Sequence, residues 1–150
     1  MMNIREADIN DLEAWSKLRT ELWPNSDDNH RSEIEEFFKG ESVDIEIVYL
    51  AEIDSKVVGF IEINVRNFAE GSRRSKVPYI EAWLVDSSVR GKGIGKALIR
   101  KAEQWALSKG YLELASDTDL ANVVSASIHK HLGFEETERI VCFIKSLKNA

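Results

Sequence analysis

The amino-terminal part of the chain carries apolar residues at helical spacing. One helix face is marked by Leu12, Trp15, Leu18 and Leu22. Asn10 followed by Glu13 resembles a helix start, and Pro24 favours an end near Trp23. After the polar loop "PNSDDNH", a short second helix that stops at Gly40 is predicted by a further apolar set: Ile34, Phe37 and Phe38.

The middle of the chain has the residue composition of β-strands. The runs "IEIVYLAEI" and "KVVGFIEINV" are joined at residues 54–56, which predicts a hairpin. The polar segment "RNFAEGSRRSK" reads as an exposed loop, and "PYIEAWLVD" as the strand that follows it.

The remaining segments alternate between helices and strands. A helix that ends at Gly110 is predicted by one apolar face: Ile94, Leu98, Ala102 and Trp105. We expect a strand in "YLELASDT", a helix over residues 122–132 and a last strand in "RIVCFIKSL". The order predicts an α/β fold with a mixed sheet flanked by helices.

Length and composition bound the class of protein. A chain of 150 residues with 43% hydrophobic and 31% charged residues predicts one globular domain over residues 1–150. The net charge of -6 argues against nucleic acid as a partner. The apolar runs are too short for a membrane helix and the amino end lacks a signal peptide, so we expect no membrane partner and a cytoplasmic protein.

Cysteine usage adds one expectation. A single cysteine, Cys142, excludes an internal disulfide, and its setting in "RIVCFIKSL" predicts a buried thiol in a strand.

The stretch "VRGKGIGKALI", residues 89–99, places three glycines at alternate positions directly before a helical pattern. Such a turn exposes backbone N–H groups at the positive end of a helix, which suits a phosphate. The dinucleotide fingerprint would require glycine at Lys96, and the P-loop would require glycine at Arg90. Both spacings therefore fail.

The spacing that fits is Arg90-x-x-Gly93-x-Gly95 after a strand, which resembles the acyl-CoA pyrophosphate loop of the GNAT family of N-acetyltransferases. A later helix with Asn122, followed by "IHKHLGF", extends the resemblance. It implies a mixed, mostly antiparallel sheet, acetyl-CoA as the acetyl donor and no metal. The implied cofactor-binding residues are Trp83, Leu84, Val85, Arg90, Gly91, Lys92, Gly93, Ile94, Gly95, Lys96 and Asn122.

Acyl transfer to an amine also needs groups at the reacting atoms. The resemblance implies that the strand before the glycine turn bulges and that one of its exposed backbone N–H groups, that of Leu84, polarises the thioester carbonyl. His129 stands where the family often has a tyrosine that protonates the departing thiolate. Histidine is able to donate a proton near neutral pH, but a packed or solvated helix residue is an equal interpretation.

Two carboxylates are candidates for deprotonating the amine. Glu81 lies in an apolar strand, where a carboxylate is costly to bury and therefore indicates a functional role. Strand alternation predicts that Glu81 shares a face with Trp83. An edge position facing water is the alternative. Asp117 is the second candidate, with helix N-capping by Asp117 or Asp119 as the alternative.

The segments "EAWLV", "ELASDTDLAN" and "LGFEETERIVCF" resemble one branch of the family, the aminoglycoside 6'-N-acetyltransferases of bacterial antibiotic resistance. This resemblance implies acetyl transfer to the 6'-amino group of a cationic aminoglycoside, and a homodimer. The implied substrate-binding residues are Trp23, Ser26, Phe68, Glu81, Asp117 and Glu138. The alternatives are another cationic amine, such as a polyamine or a protein amino terminus, and a CoA-binding sensor without turnover.

Overall fold

Four antiparallel strands form the sheet of this protein, whose computed structural model describes residues 1–24 and 29–148. The strands lie in the order of the sequence: β1 (Met2–Glu6), β2 (Ile47–Ile53), β3 (Lys56–Arg66) and β4 (Val77–Val85). The helices are α1 (Leu12–Leu22), α2 (Asn29–Phe38), α3 (Ile94–Ser108) and α4 (Val123–His131). None of these helices, within the described ranges, is long and apolar enough to cross a membrane.

Most of the elements expected from the pattern are present. The hairpin of β2 and β3 turns at Asp54 and Ser55, whose φ values of 49° and 68° are those of a tight two-residue turn. β1 was not expected, because its five residues are too few for a clear alternation. The start of α1 also differs, since Asp8, and not Asn10, caps the short turn of 3₁₀ helix before it.

The helices cover both faces of the sheet. α1 and α2 pack on one face through a cluster that includes Trp15, Leu18, Ile34, Val48, Leu50, Phe60 and Ala82. α3 packs on the other face through a cluster that includes Tyr49, Ala51, Ile61, Ile63, Ile80, Leu98, Ile99 and Ala102. The alternation along β2 and β3 separates the two sets, because neighbouring strand residues point to opposite faces.

A β-bulge interrupts β4. Glu62 of β3 pairs with Ala82, but the next residue, Ile63, pairs with Ile80, so Glu81 is an extra residue in β4. The bulge changes the alternation on which the sequence prediction rested. Glu81 borders a cavity on the side of α1 and α2, whereas Trp83 packs with α3 on the other side. The expectation that Glu81 and Trp83 share a face is therefore wrong.

The two expected carboxyl-terminal strands are not strands of this sheet. Residues 111–118 make one parallel bridge, in which Ala115 N donates to Pro78 O and Ile80 N donates to Ala115 O, both at 2.9 Å. Residues 139–147 form no strand and lie exposed, with Phe143 91% accessible. Cys142 is exposed as well, which corrects the expectation of a buried thiol. A strand requires a partner, and no described residue pairs with this segment.

Candidate active site

The glycine turn leads into α3 with its backbone N–H groups open. Gly91 and Gly93 have φ values of +83° and +81°, a left-handed conformation that side chains other than glycine rarely adopt. Gly93 is the N-cap residue and no side chain caps the helix. The first helical hydrogen bond is from Ala97 N to Gly93 O, at 3.0 Å, so the preceding amides of the first turn lack helical acceptors. This 15-residue helix therefore offers an anion site at its amino end.

The third glycine of the turn serves packing. A Cβ on Gly95 would lie 3.3 Å from the ring of Trp83, and the Trp83 Nε1–H donates to the Gly95 carbonyl at 3.2 Å. Ile94 is buried, so only its backbone is available to a ligand. Arg90, Lys92 and Lys96 are exposed around the turn. The turn thus suits phosphate groups, because main-chain N–H donors lie at its centre and the cationic side chains of Arg90, Lys92 and Lys96 lie at its rim.

The backbone of β4 offers further donors before the turn. Asp86 N donates to Val58 O at 2.7 Å, and the register continues without a break to Leu84, which pairs with Phe60. Because antiparallel pairs alternate, the N–H of Leu84 is taken up by β3, and those of Trp83 and Val85 face away from β3. The ladder therefore favours Trp83 and Val85 over Leu84 as the source of an amide that polarises a thioester, because their amides have no strand partner among the described residues.

β4 and the segment 111–118 separate after their single bridge. A cavity of about 860 Å³ opens beside this segment, and its border includes Arg66, Tyr79, Ser116, Asp117, His129 and Glu138. Three of the predicted site residues, Asp117, His129 and Glu138, thus border one opening. Phe68 lies outside it and is 66% exposed. Ser26 lies outside the described residues.

A chain of polar contacts links the two predicted carboxylates. Arg66 donates to both oxygens of Glu81, at 2.6 and 2.8 Å, and Asn64 Nδ2 donates to the same carboxylate at 3.1 Å. The Arg66 guanidinium lies 3.6 Å from the centre of the Tyr79 ring, and the Tyr79 hydroxyl donates to Asp117 at 2.6 Å. Burial and this hydrogen bond raise the pKa of Tyr79 well above its usual value, so it stays a donor.

These contacts decide the alternatives for the carboxylates. The Glu81 side chain is 19% exposed and bound on both oxygens, which does not fit an edge residue facing water. Asn122, and not Asp117 or Asp119, caps α4, because its side-chain oxygen accepts from Ser125 N at 3.0 Å. Asn122 is therefore a helix cap in this structure, and its predicted contact with a cofactor stays a prediction. Sequence reasoning missed Arg66 and Tyr79, whose meeting depends on the strand register.

A second cavity, of about 500 Å³, lies on the side of α1 and α2. Its border carries one cation, Arg19, and five carboxylates: Glu33, Glu36, Asp44, Glu62 and Glu81. Trp23 also borders it and stacks on His30, with ring centres 6.0 Å apart. The position of Trp23 thus agrees with both of its interpretations, packing at the end of α1 and contact with a ligand. This cavity suits a polycation.

Glu62 is the deeply buried acid of this second cavity. It is 1% exposed, accepts from Trp15 Nε1 at 2.8 Å and lies 2.9 Å from Arg19 Nε. Burial raises the pKa of Glu62 to about 7, against the opposing effects of Arg19 and Trp15. The sequence analysis did not select Glu62, although an acid between Ile61 and Ile63 of a central strand was a visible sign.

His129 is held at both ring nitrogens. Its Nε2 lies 2.8 Å from the Ser116 hydroxyl and its Nδ1 lies 2.8 Å from the Ser125 carbonyl oxygen. The ring meets Trp83 and Phe134 edge to face, with centres 5.5 and 5.2 Å apart. The predicted proton donor is therefore half-buried and oriented. Among the described residues, no three potential ligands from His, Cys, Asp and Glu gather as a metal site would require.

Comparison with known proteins relates this chain to one family. The acetyltransferase (GNAT) family matches residues 12–134. The aminoglycoside N(6')-acetyltransferase type 1 of Klebsiella aerogenes is 38% identical, over 96% of each chain. The protein of that name from Salmonella typhimurium is 35% identical, over 96% of this chain and 99% of its own.

Solved structures of aminoglycoside acetyltransferases are also similar to this chain. AAC(6')-Iy in complex with the bisubstrate analogue CoA-S-monomethyl-acetylneamine has a TM-score of 0.89 and 36% identity, over 97% of this chain and 99% of that one. The aminoglycoside 6'-N-acetyltransferase AAC(6')-Ih of Acinetobacter baumannii has a TM-score of 0.87 and 32% identity, over 98% and 99%. The chain described here belongs to the acetyltransferase (GNAT) family.

Proposed function

We propose that this protein is an acetyl-CoA-dependent N-acetyltransferase that modifies the 6'-amino group of aminoglycosides, and thereby confers antibiotic resistance. The observation that carries the proposal is the position of β4 between an open helix N-terminus and a carboxylate-bordered cavity. The similarity to aminoglycoside N(6')-acetyltransferases, which extends over nearly the whole chain, supports the same reaction and acceptor.

Acetyl-CoA supplies the activated acetyl group as a thioester. In the proposal, the open amides at the start of α3 hold its pyrophosphate, and the exposed cations of the turn, Arg90, Lys92 and Lys96, add charge at the rim. The free amides of Trp83 and Val85 hold the rest of the donor and polarise its carbonyl. Gly93 and Gly91 allow the close approach of the phosphates.

The acceptor is a polycation, and the carboxylates provide its counter-charges. We assign Glu81 and Asp117 to the amine that reacts, with Trp23, Glu138 and Phe68 as further contacts and Ser26 as a prediction from sequence alone. Glu81 already accepts three hydrogen bonds from Arg66 and Asn64, so it is arranged to orient the ammonium group of the acceptor rather than to take a proton from it. Removal of that proton through a water molecule fits this arrangement.

The carboxyl-terminal segment supports the proposal of a homodimer. Val141 and Phe143 are 70% and 91% exposed in a run of β-forming residues that has no strand partner in the described chain. Exposed apolar runs of this kind mark contact surfaces, and a second copy presents the same run by symmetry. Sedimentation should give a dimer for the full chain and a monomer after the double change V141D and F143D. A monomeric full chain would contradict this part of the proposal.

A thiol-release assay tests the reaction. The protein is mixed with acetyl-CoA and, in turn, a 6'-amino aminoglycoside, its 6'-hydroxyl counterpart, spermidine and a short peptide. Release with the 6'-amino compound alone supports the proposal. Thiol release with spermidine or peptide only would support an N-acetyltransferase that acts on a different acceptor. No thiol release with any of the four compounds would favour a CoA-binding sensor. The use of acetyl-CoA also leads us to propose a cytoplasmic location.

A further inference from the structure

The hydrogen bonds of His129 define which ring nitrogen carries a proton. The Ser125 carbonyl can only accept, and it lies closer to His129 Nδ1, at 2.8 Å, than the Ser125 hydroxyl does, at 3.4 Å, so Nδ1 is the protonated nitrogen of the neutral ring. His129 Nε2 then has a lone pair, and the Ser116 hydroxyl, 2.8 Å away, donates its hydrogen to it. In the neutral state, each ring nitrogen of His129 therefore has a hydrogen-bond partner within the protein.

Protonation of the ring reverses the second of these bonds. The imidazolium carries hydrogen on both nitrogens, so Nε2 donates to the Ser116 oxygen instead of accepting from it. The hydroxyl hydrogen of Ser116 is then released for another acceptor. His129 itself has no N–H left for a ligand in either state, since both nitrogens stay bound to Ser116 and Ser125.

Ser116 lies on the segment beside β4, next to the bridge and at the border of the large cavity. It directly follows Ala115, the residue of the parallel bridge, and so stands where the segment 111–118 and β4 begin to separate. Both Ser116 and His129 border the large cavity, and the His129 ring lies against Trp83, whose free amide faces away from β3. Ser116 is thus the member of the pair that lies on the segment beside β4, and His129 is the member that lies on α4.

The charged groups around the pair have partners of their own. Asp117, next to Ser116, accepts the hydroxyl of Tyr79. Lys130, next to His129 on α4, lies 4.0 Å from Glu136, and His131 is exposed. The contacts of the described residues thus leave the Ser116 hydroxyl with His129 as its hydrogen-bond partner.

We propose that Ser116 and His129 form a two-member proton relay, in which the Ser116 hydroxyl protonates the leaving sulfur and His129 resupplies it. As the carbon–sulfur bond of the thioester breaks, the Ser116 proton passes to sulfur and the Nε2 proton of the imidazolium passes to the Ser116 oxygen. His129 ends neutral and takes a proton from solvent before the next turnover. The relay rests on the proposed acetyl transfer and identifies its acid, replacing His129 as the direct donor.

Single-turnover acetyl transfer to a 6'-amino aminoglycoside tests the relay. S116A should slow the transfer by about 10²-fold, at the lower end of what a general acid contributes, whereas S116T keeps the hydroxyl and should retain most of the rate. S127A makes the same deletion on the exposed part of α4 and serves as the control. In mixtures of H₂O and D₂O, the wild-type rate should curve with deuterium content, because two protons move together, and the S116A rate should not.

Nitrogen NMR of His129 in the protein without ligands gives a readout apart from activity. At a pH where the ring is neutral, the wild type should show the Nδ1–H tautomer, and S116A should shift the Nε2 resonance because its donor is lost. S127A should leave that resonance in place. An Nε2–H tautomer in the wild type, or an unchanged Nε2 resonance in S116A, would overturn the relay.

The outcomes separate the relay from the proposed function. A wild-type protein that releases thiol while S116A keeps its full rate overturns the relay and leaves the transferase intact. The same conclusion follows if H129Q transfers acetyl as fast as the wild type. A wild type that releases no thiol with any amine overturns the proposed function, and the relay with it.

Discussion

The two sides of β4 differ in the part of the chain that they present to a ligand. Towards the glycine turn, the available groups are main-chain amides, because the Ile94 side chain is buried in the core and Gly95 has no side chain and leaves room for the Trp83 ring. Towards α1 and α2, the available groups are charged side chains such as Glu81 and Glu62. The side towards the glycine turn, the cofactor side, thus depends on backbone conformation, and the side towards α1 and α2, the acceptor side, depends on charge. Different substitutions should therefore impair the two sides.

The largest expected effect concerns the charge buried on the acceptor side. Because the pKa of Glu62 is raised to about 7 from 4.5, the folded chain binds more protons than the unfolded chain between those values. Stability should therefore fall as the pH rises from about 4.5 to about 7, by on the order of 3 kcal/mol from this group. Urea unfolding between pH 4.5 and pH 8 measures it.

The variant E62Q isolates this contribution. The free energy of unfolding of the wild type relative to E62Q should decline with rising pH across that window, since glutamine does not titrate. A difference that is flat, or that grows with pH, would contradict the raised pKa of Glu62. E46Q changes an exposed acid before β2 and should show no such window.

Next in size is the effect of neutralising Glu81. E81Q should lower kcat/KM for the aminoglycoside by about 10²-fold, because a charge-assisted bond to the ammonium group is lost and Arg66 loses its partner. The Kd for acetyl-CoA should stay near that of the wild type. Steady-state kinetics with calorimetric titration of acetyl-CoA checks both. Equal losses for the two ligands would remove the distinction between the sides of β4.

Asp117 allows the same comparison from the other cavity. D117N should lower kcat/KM for the aminoglycoside by about 10-fold, less than E81Q, because asparagine keeps an oxygen that accepts from the Tyr79 hydroxyl. Acetyl-CoA affinity again serves as the internal control. Should D117N weaken acetyl-CoA binding as much as acceptor use, Asp117 would belong to the cofactor side.

The cofactor side should respond to backbone changes instead. G93A should weaken acetyl-CoA binding by about 10-fold, since alanine at a φ of +81° strains the turn that aims the amides of α3. G110A is the matched control, because Gly110 follows α3 with a φ of +85° and lies far along the helix from the turn. If G110A and G93A weaken acetyl-CoA binding equally, the turn is structural only.

The smallest expected effect is that of the cations at the rim of the turn. K92Q and K96Q should each raise the Kd for acetyl-CoA about twofold to threefold at low salt, because exposed charges contribute little and are screened. The effect should disappear at high ionic strength. A loss as large as that of G93A would show that side chains, and not amides, dominate this side.

The fold was predictable where a pattern is local. The helical spacing around Trp15 and the apolar alternation of β2 and β3 determine α1 and the hairpin, because each element can be formed from neighbouring residues. The glycine turn was predictable for the same reason. β1 was missed because five residues carry too little periodicity, and the expected strand at residues 139–147 is unpaired because pairing needs a distant edge.

The site was predictable in its residues more than in its contacts. Glu81, Asp117 and His129 were selected from the sequence. The family resemblance implied a bulge in this strand, but not its position at Glu81, which turns Glu81 away from Trp83. Arg66 and Tyr79 were not selected, since strand residues with these side chains are common and only their register brings them to Glu81 and Asp117.

By itself, the sequence determined the order of α1, α2, the hairpin of β2 and β3, β4, α3 and α4. It also determined the open turn before α3 and the acidic character of the chain, because spacing and composition act locally. The tertiary structure alone decided which groups meet. The bulge at Glu81, the ladder that occupies the Leu84 amide and the two bonds that hold His129 all depend on residues far apart in sequence. Such contacts follow from packing and register, which no local pattern encodes.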